Sequence, residues 1–249
     1  MRIMVEGAGP DLVLLPGWGM NAGVWGEFAA MLAREFRVHR VDLFAGHIVK
    51  SGDLDAVVEA VANACVSRAT VCGWSLGGQV ALRWAQLKPD QIQRVILIAA
   101  TPRFVRKDNW DCGMEPAVFN AFARDFGQDI DAALQRFVLL QVHGDTKARD
   151  VARYLRAHAC TAAASDVTAL AGGLAILQKS DLRAELPTIT QSMLILHGEH
   201  DGIVSPAAGD YLQRRLPHAR LETIAGAAHA PFIAQPDNCA RLVAAFCHG

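Results

Sequence analysis

Short runs of apolar and β-branched residues alternate with stretches of helical periodicity along most of the chain. We predict six buried strands from these runs: Leu12–Leu15, Val38–Leu43, Thr70–Trp74, Val95–Ala99, Met193–Leu196 and Leu221–Ile224. The intervening stretches predict helices at Val24–Glu35, Leu54–Val66, Leu76–Leu87, Ala207–Leu216 and Asn238–Phe246. Because this order favours parallel strands joined by right-handed crossovers, we predict an α/β fold: a mostly parallel sheet with helices on both faces.

The alternation stops between Pro102 and about Gln178, where helical periodicity continues without a convincing strand. We therefore predict a helical cap, residues 103–178, inserted into a core formed by residues 1–102 and 179–249. Such a cap would lie over the carboxyl edge of the sheet, where open α/β folds bind their ligands.

Composition narrows the range of functions. The 24 basic and 25 acidic side chains give a formal charge of −1, which offers no general reason to expect binding to nucleic acid or to a membrane. No apolar run reaches the ~18 residues that span a bilayer, and residues 1–9 do not resemble a signal peptide. We therefore expect a cytoplasmic protein. The six cysteines include no Cys-x-x-Cys pair and predict buried thiols rather than disulfides.

The strongest local motif is Gly73-Trp74-Ser75-Leu76-Gly77-Gly78, which follows a predicted strand and opens a predicted helix. This is the setting of the G-x-S-x-G nucleophile elbow, in which a sharp turn lifts a serine hydroxyl above the sheet. The flanking glycines leave room for the backbone to approach closely. A glycine-rich turn without chemistry is the alternative. We predict that Ser75 is a nucleophile.

A serine needs a positioned base, and in this arrangement the acid and the histidine follow it along the chain. Asp201 comes directly after the strand at Met193–Leu196, and His229 comes after the last strand. We predict that His229 takes the Ser75 proton and that Asp201 orients its imidazole. Glu199, in the same loop as Asp201, is the rival acid. His197 and His200 are three residues apart, which does not establish a zinc site, and we predict no metal or cofactor.

Two backbone N–H groups are candidates for an oxyanion hole. Leu76 follows the nucleophile at the start of a helix, and Trp18 lies in Pro16-Gly17-Trp18-Gly19, directly after an early strand. The Trp18 indole would also form one wall of an acyl pocket. Simple core packing is the alternative role for Trp18.

Several segments together resemble the BioH family, the pimeloyl-[acyl-carrier protein] methyl ester esterases of biotin biosynthesis. The resemblance covers nearly the whole chain and is carried by these segments: Gly17-Trp18-Gly19, Gly73 to Gly78, Phe137-x-x-Leu140-Gln141, Gly172-Gly173-Leu174-x-Ile176-Leu177, Asp181-Leu182-Arg183 and His229-Ala230-Pro231-Phe232-Ile233. The serine motif is shared by the whole α/β-hydrolase superfamily, whereas the cap segments and the histidine segment are more specific.

The resemblance implies both an acyl site and a partner. It implies that the substrate contacts Trp18, Leu76, Ser75 and His229, together with Phe137, Val138, Leu139, Leu140 and Gln141. It further implies that arginines of the cap hold the acyl-carrier protein, and the matching positions are Arg136, Arg149 and Arg153. We expect the enzyme itself to be a monomer.

The charge pattern agrees with an acidic partner. Arg149, Arg153 and Arg156 stand at i, i+4 and i+7, which places them on one face of a helix. From Arg136 to Arg156 there are five basic residues and two acids, so the cap is locally basic in a near-neutral protein. An ordinary solvated helix face is the alternative.

Two departures from the family pattern lie near the predicted pocket. Pro16 stands where the family usually has histidine, and the loop Asp42–His47 is shorter than the usual one. They bear on the substrate range and not on the triad. Three other functions remain open: a broad carboxylesterase, a carbon–carbon bond hydrolase of the same fold, and a ligand receptor that retains the fold. A dehalogenase would need a carboxylate where Ser75 stands.

Overall fold

The computed structural model describes residues 1–45, 48–65, 68–161 and 167–249. In these ranges seven strands form one sheet: β1 (Arg2–Glu6), β2 (Asp11–Leu15), β3 (Arg37–Asp42), β4 (Ala69–Trp74), β5 (Ile92–Ile98), β6 (Ser192–Gly198) and β7 (Ala219–Ile224). Their order across the sheet is β1-β3-β2-β4-β5-β6-β7. Only the β1–β3 pair is antiparallel, and the other neighbouring pairs are parallel. The predicted fold class is confirmed.

Strand β1 was not among the predicted strands. It lies at the edge of the sheet, is only partly buried, and leaves Val5 55% exposed. An edge strand that buries little apolar surface does not show the continuous apolar run that marks the inner strands. The six predicted strands are all present, and their ends lie within a few residues of the predicted positions.

The α-helices are α1 (Gly26–Leu32), α2 (Leu54–Ala64), α3 (Leu76–Leu87), α4 (Pro116–Gln128), α5 (Ile130–Gln141), α6 (Ala148–His158), α7 (Val167–Lys179), α8 (Pro206–Arg215), α9 (Pro231–Ala234) and α10 (Pro236–His248). The helix predicted at Val24–Glu35 is present as α1, but it is shorter than predicted at both ends. A 3₁₀ turn at Ala22–Trp25 precedes α1, and Gly26, the first residue of α1, departs from helical backbone geometry with φ 18° and ψ −110°. The predicted end of the second helix, Val66, lies outside the described residues.

The inner strands bury both of their faces. Along β5, Val95 and Leu97 pack into one apolar cluster, with α2, α3 and α8, while Ile96 and Ile98 pack into the other, with α1 and α10. This alternation follows from the two-residue period of a strand. It explains why the inner strands are continuously apolar in sequence.

Helices α4 to α7 all lie between β5 and β6 in the chain, in the stretch where we predicted a cap. Trp18, in the loop after β2, joins this helical layer to the core. Its indole N–H donates to the Leu170 carbonyl of α7 at 2.8 Å. The division at residues 102/103 and 178/179 remains a prediction.

Two further findings concern the cysteines and the length of the apolar helices. The six cysteines are all described and form no disulfide, and Cys72, Cys160 and Cys239 are buried. Within the described ranges, no helix combines the length and apolar character that crossing a membrane requires.

Candidate active site

Ser75 lies in the turn between β4 and α3 with φ 54° and ψ −113°, a backbone conformation that residues other than glycine rarely adopt. Backbone strain of this kind typically costs about 1–3 kcal/mol and occurs most often at active sites and ligand-binding sites. Backbone hydrogen bonds hold the turn: Ser75 N–H donates to Ile98 O at 3.0 Å, and its carbonyl accepts from Gly78 N–H at 2.9 Å. A Cβ atom at Gly73 would collide with the Gly77 carbonyl.

Asp201 and His229 lie in the loops that follow β6 and β7, and the structure brings them together. His229 Nδ1 is 2.8 Å from Asp201 Oδ2, and both side chains are almost completely buried. Asp201 Oδ1 accepts the backbone N–H groups of Ile203 and Val204, each at 2.9 Å. Because an ionised carboxylate only accepts hydrogen bonds, the proton of a neutral His229 ring lies on Nδ1 and the lone pair on Nε2.

The loop that carries His229 is fixed against the serine turn. Trp74, which directly precedes Ser75, donates its indole N–H to the His229 carbonyl at 2.8 Å, and the two ring centroids are 5.7 Å apart. His229 Nε2 is buried and forms no hydrogen bond with any described residue, the Ser75 hydroxyl included. Catalytic hydrogen bonds are often long before substrate binds.

The two candidate oxyanion donors lie beside the serine. Leu76 is the first residue of α3. Trp18 follows Gly17, where a Cβ atom would lie only 3.4 Å from Ser75 Cβ, so the loop after β2 packs against the nucleophile turn. Neither the Trp18 nor the Leu76 N–H donates to another group in the described part of the chain. Both N–H groups therefore remain candidates for an oxyanion hole.

An apolar cavity lies between Trp18 and the helices above it. Its walls include Phe119, Phe122, Phe137 and Leu140, and no wall residue is charged. The Phe122 and Phe137 rings meet Trp18 edge to face, with centroids 5.5 and 5.1 Å from its own. The space open to the centres of water-sized molecules is about 30 Å³. The cavity is therefore narrow, and its apolar walls suit an acyl chain better than a charged group.

Comparisons with known proteins agree with this geometry. Residues 12–242 match the model of the alpha/beta hydrolase family. The chain belongs to that family. A pimeloyl-[acyl-carrier protein] methyl ester esterase from Nitrosomonas europaea is 41% identical over 242 residues, 96% of each chain. One of the same name from Stenotrophomonas maltophilia is 41% identical over 251 residues, 99% of this chain and 96% of the relative.

The chain therefore also belongs to the narrower family of these relatives, as the sequence motifs indicated. Among solved structures, an esterase from Exiguobacterium antarcticum superposes with a TM-score of 0.89 at 20% identity, covering 99% of this chain and 95% of its own. An enol-lactonase from Burkholderia xenovorans superposes with a TM-score of 0.81 at 23% identity, covering 100% and 96%. At these identities the two structures show the fold alone.

The segment that the family resemblance assigns to the substrate is divided between several environments. Phe137 and Leu140 line the apolar cavity. Val138 is buried on another side, in the cluster that contains α1 and α10, and Leu139 is 51% exposed. Phe137 and Leu140 are thus the members of this segment whose side chains reach the cavity.

The end of α5 and the turn after it hold the histidine loop, which sequence reasoning did not anticipate. Gln141 O accepts the His229 N–H at 3.1 Å, and Asp145 Oδ2 accepts the Ala228 N–H at 2.8 Å. The Gln141 side chain is 1% exposed, and neither its amide N nor its amide O has a partner among the described residues. No local motif indicates such long-range contacts; only the position of Gln141 in a family segment drew attention to it.

The four candidate arginines lie on the outside of the helical layer. Arg136 on α5 is half-exposed and pairs with Asp125 at 3.1 Å. Arg153 on α6 is 76% exposed and pairs with Asp150 one turn away at 2.8 Å. Arg149 and Arg156 are exposed, and neither forms an ion pair with another described residue.

The rival residues of the acid loop take other roles. Glu199 Oε2 accepts the Gly226 N–H at 2.8 Å, and its side chain is half-exposed. His200 is also half-exposed and lies 3.7 Å from Glu199. The described residues contain no cluster of three or more groups able to hold a metal ion. Of the altered loop after β3, Gly46 and His47 lie outside the described residues.

Proposed function

We propose that this protein is a serine carboxylesterase that hydrolyses the methyl ester of pimeloyl-[acyl-carrier protein], an ester of biotin biosynthesis. The observation that carries the proposal is the buried Asp201–His229 pair beside a strained serine turn. Relatives at 41% identity that bear the name of this esterase support the substrate.

Acylation begins when Ser75 Oγ attacks the ester carbonyl and His229 Nε2 takes the hydroxyl proton. The negative charge that develops on the carbonyl oxygen is bound by the N–H groups of Trp18 and Leu76. The carboxylate of Asp201, 2.8 Å from His229 Nδ1, stabilises the imidazolium that forms. The protonated His229 then delivers its proton to the methoxy oxygen, methanol leaves, and the acyl group stays on Ser75.

Deacylation repeats these steps with water. His229 takes a proton from the water, the hydroxide attacks the acyl carbonyl, and the same two N–H groups bind the oxyanion. Collapse of the intermediate returns the proton to Ser75 and releases the free carboxylic acid. No cofactor takes part in this proposal.

The carrier protein would dock on the basic outer surface of the cap. An acidic partner is favoured by Arg149 and Arg156, which have no ion pair among the described residues, and by Arg136 and Arg153, whose partners are also exposed. We assign the acyl chain to the apolar cavity at Trp18 and Phe137. The same proposal places a monomeric enzyme in the cytoplasm.

Hydrolysis of a carrier-bound methyl ester, compared with that of a small free ester, tests the substrate. Replacing both Arg149 and Arg153 with Glu should lower kcat/KM for the carrier-bound ester and leave the free ester almost unchanged. Exposed pairs contribute only about 0.2–1 kcal/mol each, so two charge reversals should give a several-fold effect at low salt. The difference should shrink as salt is raised.

Replacement of Arg214 and Arg215 with Glu is the matched control. These exposed arginines lie on α8 of the core, and the double change alters the net charge equally. An equal loss in the control would show that net charge alone matters. If the variant with Glu at both Arg149 and Arg153 lost no kcat/KM on either substrate, carrier docking on this surface would be contradicted. The protein would then be a general carboxylesterase.

A further inference from the structure

A second buried histidine reaches the Asp201 carboxylate. His197, near the end of β6, is 1% exposed. Its Nε2 is 2.9 Å from the Val204 carbonyl and 3.5 Å from Asp201 Oδ2. The same carboxylate oxygen is 2.8 Å from His229 Nδ1. Two imidazoles therefore face one oxygen of the acid.

The surroundings of His197 define its protonation. The Val204 carbonyl can only accept, so His197 Nε2 carries a hydrogen and the neutral ring has its lone pair on Nδ1. His197 Nδ1 is buried without a partner among the described residues, so a second proton there would have no acceptor. Burial lowers the pKa of His197, against the opposing effect of the Asp201 carboxylate. A neutral ring is the form that this site holds.

We propose that His197 is a positioning residue for the reaction, a neutral donor that fixes the Val204 carbonyl and holds Asp201 in the orientation that His229 requires. The Val204 peptide is bound on both sides. Its N–H donates to Asp201 Oδ1 at 2.9 Å, and its carbonyl accepts from His197 at 2.9 Å. Loss of the His197 donor would release one side of the peptide that holds the carboxylate. This inference rests on the proposed esterase function.

Neutrality is what makes His197 compatible with this role. A positive charge on His197 would attract the Asp201 carboxylate and weaken its stabilisation of the His229 imidazolium. A neutral N–H directed at the Val204 carbonyl fixes the loop without adding a competing cation.

The helix that follows the acid loop leaves room for the ring. A Cβ atom at Gly209 of α8 would lie only 3.0 Å from His197 Nδ1. That separation is tighter than most Cβ contacts in proteins, so a methyl group there would push the imidazole by a few tenths of an ångström. Gly209→Ala is therefore a second way to move His197 without replacing it.

Three substitutions separate hydrogen bonding from packing. The amide nitrogen of Gln can occupy the position of His Nε2, whereas that of Asn falls short, near Nδ1, and Leu has no donor. We expect His197→Gln to keep a kcat close to wild type, and His197→Leu and His197→Asn to lower it about tenfold with KM nearly unchanged. Gly209→Ala, which shifts the imidazole but keeps its donor, should lower kcat by less than His197→Asn does. His200→Gln is the matched control, because His200 is three residues away and its side chain is exposed. This change should leave kcat unaltered.

A spectroscopic signature tests the mechanism independently of turnover. The proton shared by His229 Nδ1 and Asp201 should give a far-downfield proton resonance in the wild type and in His197→Gln, and a shifted or lost one in His197→Asn. Wild-type kcat in His197→Asn, or a Gln variant as slow as the Asn variant, overturns the proposal. If the wild type hydrolyses no ester, the proposed function fails, while the resonance still decides whether His197 orients Asp201.

Discussion

The change Asp201→Asn replaces one carboxylate oxygen with an amide NH₂, and the structure determines which one. Oδ1 accepts two backbone N–H groups, from Ile203 and Val204, each at 2.9 Å. An NH₂ group in that position would face two donors, so Asn must keep its oxygen there and turn its NH₂ towards His229. His229 Nδ1 then has to accept, and the ring proton moves to Nε2.

A proton on His229 Nε2 prevents the ring from taking the Ser75 proton. By analogy with the same change in a serine protease, we expect kcat to fall roughly 10⁴-fold, or about 5.5 kcal/mol of transition-state stabilisation. Initial rates with a p-nitrophenyl ester measure this, and a thermal melt close to that of the wild type excludes unfolding.

Glu199→Gln is the matched control, because Glu199 lies in the same loop and accepts a hydrogen bond from Gly226 rather than from His229. Its rate should stay within a few-fold of wild type. If Asp201→Asn kept a tenth or more of the activity, or if Glu199→Gln were the more damaging change, the assignment of the acid would be wrong.

Three further predictions concern packing and protonation. Gly173→Ala should lower esterase activity, since its Cβ would lie 2.7 Å from Trp18 Cδ1, whereas Gly127→Ala, with no atom within 4 Å, should not. Cys72 should resist iodoacetamide until the protein unfolds, because complete burial raises the pKa of its thiol; labelling followed by mass spectrometry measures this. Burial lowers the pKa of His197 in the folded protein. The unfolded chain therefore binds a proton at this histidine first, and the free energy of unfolding should fall as the pH drops below ~6.5. Urea denaturation at pH 7.5 and 5 should show a smaller change in His197→Gln than in the wild type.

Features with a local signal were predictable from the sequence. The inner strands are apolar on both faces, and Ser75 stands between a strand and a helix with glycines at fixed positions. Asp201 and His229 could be selected because parallel strands bring their carboxyl ends to one edge of the sheet.

Features that depend on half-buried or distant residues were not predictable. Strand β1 pairs through its backbone at the sheet edge and shows no apolar run. The split near Gly26 depends on a backbone geometry that helical periodicity does not reveal. The bond from Trp74 to the His229 carbonyl joins residues 155 positions apart. His197 was considered only as half of a metal pair, because its contact with Val204 depends on the folded acid loop.

Covalent labelling with a fluorophosphonate tests the central claim most directly, because such probes react with an activated serine. Peptide mass spectrometry should locate one phosphonyl group on Ser75, and His229→Ala should take up the label far more slowly while remaining folded. Label on a different residue would contradict the account, and so would full esterase activity in the Ser75→Ala variant.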